Sequence, residues 1–159
     1  MYDIAIARAI HILSIVIWIG GVCMVTTILL PSFQRYFPIK DRLDIFHKVE
    51  ERFAWQARLV VLLAGLSGFY MVWRMAAWGR FEHVSFWWMH AMLFVWLIFM
   101  LMLFVLEPFF LEKKFKKISN ENPEKAYKLV QRLHWVLLIF SCVTIIGAVI
   151  GSHGFNILS

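Results

Sequence analysis

Apolar residues run through this chain in four long blocks, separated by short connections that hold nearly all the charge. The first block extends from about Ile4 to Leu30 and stops at Pro31. The second covers about Phe53 to Trp73, and the third about Ser85 to Leu106, ahead of Glu107-Pro108. The fourth covers about Trp135 to Ser152. At roughly 1.5 Å per residue each block can cross about 30 Å of hydrocarbon as a helix. The pattern therefore predicts an all-α fold, an integral membrane four-helix bundle over about 4–30, 53–73, 85–106 and 135–152, in one domain, 1–159. In the first connection, IKDRLDIFHKVEER, Leu43, Phe46 and Val49 fall at helical spacing and predict a short interfacial helix. The third connection, EKKFKKISNENPEKAYKLVQRLHW, reads as an extension of the third helix that turns at Asn122-Pro123 into the fourth.

Composition agrees with a lipid solvent: 62% of the 159 residues are hydrophobic and 16% charged, against about half and a quarter in soluble domains. A net charge of +6 raises nucleic acid as a partner, but the cations lie between the apolar blocks, where they meet anionic lipid. Arg35, Lys40, Arg42, Lys48 and Arg52 fill the first connection, and Lys113, Lys114, Lys116, Lys117, Lys125, Lys128 and Arg132 the third. The opposite side has Arg8, Arg74 and Arg80. Cations collect on the cytoplasmic side of short loops, so both termini are expected outside the cytoplasm. Cys23 and Cys142 sit inside apolar blocks and read as small buried hydrophobes rather than a disulfide framework. The first block is too long for a signal-peptide core and no small-residue cleavage site follows it.

Chemistry concentrates in the histidines. In RAIHILSIVIWIGG, residues 8–21, His11 shares a helix face with Ser14, Trp18 and Gly21. An imidazole in hydrocarbon is costly unless something engages it. His90 lies about one turn inside the outer end of the third block, and His153 closes the fourth on the same side. His83 falls in the outer loop, while His47 and His134 belong to the cytoplasmic side. Haem b takes one or two axial imidazoles in a low-dielectric slot and offers propionates to cations. His11 and His90 are the expected axial pair, with His153 as a third candidate. Gly21 would clear a wall for the ring, Arg8 and Arg80 would meet propionates, and Trp18, Trp87, Trp88 and Tyr70 could pack on it. Trp87 and Trp88 read equally as interfacial anchors.

Other intramembrane features have structural readings. Arg58 is expected to pair with Glu50, Glu51 or Glu107. Gly65 and Gly68 suggest close packing in the second helix. Gly147 and Gly151 form a small-residue pair that can lie within the bundle or join two copies as a homodimer. Met71 and Met75, or Met89 and Met92, share helix faces and read as packing, although copper-handling with His11, His90 and His153 is an alternative. Met24 is almost four turns from His11, which disfavours a copper(I) site there.

RAIHILSIVIWIGG resembles the first helix of the copper-resistance D-like membrane domain and of the related oxygen-independent protoporphyrinogen oxidase (HemJ type). VEERFAWQARLVVLLAGLSGFY resembles their second helix, including a later glycine, here Gly68, and WWMHAM the start of their third. The likeness covers about the first two-thirds of the chain. It implies an inner-membrane helical bundle holding haem b through His11. The oxidase branch carries a lysine two residues after the third-helix histidine, where this chain has Met92. The expectation is thus a small b-type cytochrome passing electrons to or from quinone or a redox protein. A protoporphyrinogen oxidase, an oxidoreductase in haem biosynthesis, is the alternative.

Overall fold

The computed structural model describes residues 2–111 and 121–153, and the described residues are almost all helical, with no strand among them. Four helical spans are long and apolar enough to cross a membrane. Their outward surfaces are greasy: Ile12, Leu13 and Val16 in the first span and Phe140, Val143 and Ile146 in the last are all exposed. Such faces suit lipid rather than water.

The first span does not stop at Pro31. Helix α1, Tyr2–Met24, widens into a π-turn, Val25–Leu29, and continues as α2, Leu30–Tyr36. A proline inside an α-helix lacks a donor and clashes with the carbonyl four residues back. The wider turn relieves that clash: the Leu30 N–H reaches back five residues to the Val25 carbonyl. The Thr26 and Thr27 hydroxyls donate to the Val22 and Cys23 carbonyls at 2.6 and 2.8 Å. The helix ends at Phe37, which is extended (φ −120°, ψ 144°), as the residue before a proline must be.

Helix α3, Ile39–Arg74, is a single rod of 36 residues. The stretch expected to form a separate interfacial helix is its first four turns. Leu43 and Phe46 are buried there with Leu30, Phe33, Ala126, Tyr127 and Val130, while Val49 is exposed. The Tyr127 hydroxyl donates to the Leu30 carbonyl at 2.5 Å. This second cluster supports the first turns of α3, because Leu43 and Phe46 at helical spacing face packed side chains. Ala76, left-handed at φ 48°, turns the chain into two 3₁₀ turns, Ala77–Glu82 and Val84–Phe86.

Helix α4, Trp87–Leu101, merges into a π-helix, Met102–Leu111. Helix α5, Pro123–Ser152, starts with Asn122 accepting from the Lys125 N–H and with proline at its first position. Lys113, Lys114, Lys116 and Lys117 lie outside the described residues.

Spans pack as α1–α3, α3–α4, α4–α5 and α5–α1, and α3 also meets α5, while α1 and α4 face each other across the bundle. Their rings meet at its centre: the Trp18 and Phe99 centroids are 4.6 Å apart at 88°. Around them lie Ile19, Val22, Val60, Val61, Ala64, Val95 and Leu138.

Glycines seat the tryptophans of α4. A Cβ on Gly65 would lie 2.6 Å from the Trp96 ring, one on Gly147 2.3 Å from Trp87, and one on Gly151 2.2 Å from Trp88. Gly147 and Gly151 thus make contacts within the bundle. Trp88 is buried rather than an interfacial anchor, and Trp87 is half-buried. Gly147→Leu is expected to destabilise the bundle by about 1–3 kcal/mol through overpacking, read as an earlier thermal unfolding in detergent.

Candidate functional site

His11 projects from α1 onto a notch of small residues on α3. Its Nδ1 lies 2.8 Å from the Ala64 carbonyl and 3.3 Å from the Ser67 hydroxyl. A carbonyl only accepts, so Nδ1 carries the proton and donates to Ala64. The Ser67 hydroxyl donates to the carbonyls of Leu63 and Ala64, at 2.5 and 3.1 Å. Nε2 is left with its lone pair, and no described residue donates to it. Beside the ring is Gly68: a Cβ there would stand 3.2 Å from His11 Cε1. The space at Gly68 is thus taken by the imidazole itself. A Cβ on Gly21 would lie 2.1 Å from the Phe53 ring, so that space is already filled by a side chain of α3.

The His11 face of α1 behaves as expected in its depth. Ser14 and Trp18 are buried. Trp18 belongs to the central packing, and its Nε1 is buried without a hydrogen-bond partner; Trp88 Nε1 shares that condition. Arg8, one turn outward, is exposed and makes no ion pair among the described residues.

The other predicted residues are engaged elsewhere. His90 is exposed, and its Nε2 donates to the Phe81 carbonyl at 3.0 Å, with the rings edge-on at 5.4 Å. It therefore turns toward the outer connection instead of toward His11. The reason is rotational: the neighbouring Met89 is buried, and one residue further along the helix lies about 100° around. Arg80 places its guanidinium over the Phe86 ring, 5.4 Å from the centroid. His153 donates from Nδ1 to the Val149 carbonyl at 2.8 Å, capping α5. The Tyr70 hydroxyl donates to Asp3 at 3.1 Å, and its ring lies 6.0 Å from that of Trp73. Arg74 joins the same carboxylate at 2.7 Å and ties the outer ends of α1 and α3 together. Among the described residues no three His, Cys, Asp or Glu side chains gather as a metal-ligating group, so His11, His90 and His153 do not form one cluster.

On the outer flank of the α1–α3 seam lies an open groove of about 450 Å³, lined by Ile6, Ala7, Ile10, Leu63, Leu66 and Ser67, with Asp3 and Tyr70 at its mouth. Ser67 connects it to His11, since it lines the groove and contacts Nδ1. Sequence reasoning missed Ala64 and Ser67 as partners of His11. The signal was present as small residues at 64, 67 and 68, the spacing that lays one strip along a helix face.

At the end of the bundle away from His11, Arg58 pairs with Glu107 at 3.2 Å and donates from Nε to the Leu103 carbonyl at 3.1 Å. No protein-family model matches this chain, and neither curated proteins nor solved structures give a match.

Proposed function

We propose that the protein binds haem b in the outer half of the bundle, with His11 Nε2 as an axial ligand, and acts as a small b-type cytochrome of a bacterial-type inner membrane. One observation carries the reading: an imidazole inside an apolar span has one nitrogen fixed by a backbone carbonyl and the other left with an unused lone pair. Ligating histidines characteristically donate their second nitrogen in this way, which sets the tautomer and strengthens the ligand.

Further features suit the group. Gly68 leaves the His11 ring free of a side chain on that flank. Arg8 is exposed one turn outward of His11, where a propionate charge would be met. When bound, haem b supplies one-electron redox chemistry. The chain's own contribution is to fix the His11 tautomer, exclude water through the Trp18–Phe99 packing below, and hold an apolar wall. The groove beside Ser67 offers a lipid-soluble carrier such as a quinone an approach to the same turn of α1.

The test is an optical spectrum of the full chain purified in detergent from haem-replete cells. A Soret band with resolved visible bands on reduction is expected, at about one haem per chain. Colourless protein that also fails to take up added haemin would remove the reading.

A further inference from the structure

We infer that the open groove on the outer flank of the α1–α3 seam binds a quinol, and that it holds this reduced form in preference to the quinone. The inference rests on the reading above for the class of carrier and deepens it by naming the redox form, while the binding argument itself needs no haem. It starts from the polar atoms that face the groove and from where their protons go. Three lining side chains are polar, Asp3, Ser67 and Tyr70, and the rest are aliphatic. The Tyr70 proton goes to Asp3 at 3.1 Å. The Ser67 proton is held by the Leu63 and Ala64 carbonyls, at 2.5 and 3.1 Å. Asp3, ionised in its pair with Arg74, only accepts. A hydroxyl oxygen keeps acceptor lone pairs after its proton is committed. The lining residues therefore offer an occupant acceptors and no uncommitted donor.

That inventory selects the ligand. A quinone presents two carbonyls, and the ester and phosphodiester groups of a phospholipid also only accept. A quinol presents two hydroxyls, and both donate. Charge points the same way. Arg74 neutralises Asp3 at the mouth, and Arg8 is not among the lining residues, so a neutral head is matched better than an anionic one. A lipid ammonium could donate to Asp3. It would not reach Ser67, which lies three residues along α3 from Tyr70, about 4.5 Å deeper. A ring lying along the groove brings one hydroxyl to Tyr70 and the opposite one to Ser67. Ala7 and Ser67 are small and buried, and they give a flat ring a floor. Ile6 and Leu66 flank it, and an isoprenoid tail leaves past Ile10 and Leu63; all four are exposed. The volume of about 450 Å³ falls within the range of small-molecule sites, about 300–1,000 Å³.

The experiment titrates the full chain, in phosphatidylcholine nanodiscs without oxygen, with a decyl-tailed benzoquinol and separately with the matching quinone, by calorimetry. Wild type is expected to bind the quinol about tenfold more tightly, the scale of two neutral hydrogen bonds. Tyr70→Phe should weaken quinol binding about three- to tenfold and leave the quinone unchanged. Ile10→Trp fills the groove from an exposed position and should abolish both. Ile12→Trp, about 160° around the helix and also exposed, should change neither. If Ile10→Trp does not fold, the Tyr70→Phe comparison decides alone. Equal affinity for the two forms, or quinol binding that Tyr70→Phe leaves intact, would overturn the inference. Loss of quinol binding when phosphatidylethanolamine replaces phosphatidylcholine would give the groove to a lipid headgroup and overturn it too. Haem-free protein that shows the quinol preference would leave this inference standing while the haem reading falls. Haem-loaded protein without the preference would do the reverse.

Discussion

Replacing His11 by alanine is expected to leave the purified protein without haem, with the Soret absorbance per chain falling to near background. The loss follows from the site. His11 is the one imidazole directed into the α1–α3 notch, with Nδ1 committed to the Ala64 carbonyl, and no described residue replaces its Nε2. Gly68→Val should act through the same ring. A Cβ there would stand 3.2 Å from His11 Cε1, and a branched side chain would push the imidazole out of line. A displaced ligand orientation of this kind weakens affinity by about 10–100-fold, read by haemin titration. His90→Ala should keep full haem content, and this contrast separates a ligand from a surface histidine. If His90→Ala and His11→Ala lost haem equally, the assignment of His90 to the outer connection would be wrong.

Arg58→Leu is the substitution expected to damage the fold most. Pro108 has no N–H, so the Leu103 carbonyl five residues before it lacks the donor that a π-turn would otherwise give. Arg58 Nε supplies that donor at 3.1 Å, and its terminal nitrogen pairs with Glu107 at 3.2 Å. Removing the guanidinium leaves a carbonyl and a half-buried carboxylate without their partner. The expected loss is about 2–4 kcal/mol, within the range for breaking such a pair one-sidedly, read as a lower unfolding temperature in detergent. Arg58→Leu combined with Glu107→Leu should recover part of that loss, because the stranded charge goes with it. A double variant no more stable than the single one would show that the Leu103 carbonyl, rather than the ion pair, dominates.

The interrupted first span and the long second helix show where sequence patterns mislead. Pro31 reads as a stop because an α-helix cannot hold it. A π-turn can, and the Thr26 and Thr27 hydroxyls bond to carbonyls of the turn before it. Residues 39–52 read as a separate element because their apolar period is narrower than that of the block beyond. Leu43 and Phe46 nevertheless find Tyr127 and Val130 of α5, and the rod continues. The pairing of Arg58 with Glu107 was among those the sequence offered, since a cation in that position has few carboxylates within reach.

Four apolar blocks, the cations gathered on one side and the face carrying His11, Ser14 and Trp18 were all legible in the chain itself. They depend on composition, length and the helical period, which are properties of one segment at a time. What the tertiary structure alone decided is which way each helix turns about its axis. A rotation of about 100° separates a buried Met89 from an exposed His90. No pattern within α4 fixes that angle, because the segment is apolar on every side. It is set by Trp87, Trp88 and Trp96 seating on Gly147, Gly151 and Gly65 of other helices, contacts between residues that are dozens of positions apart.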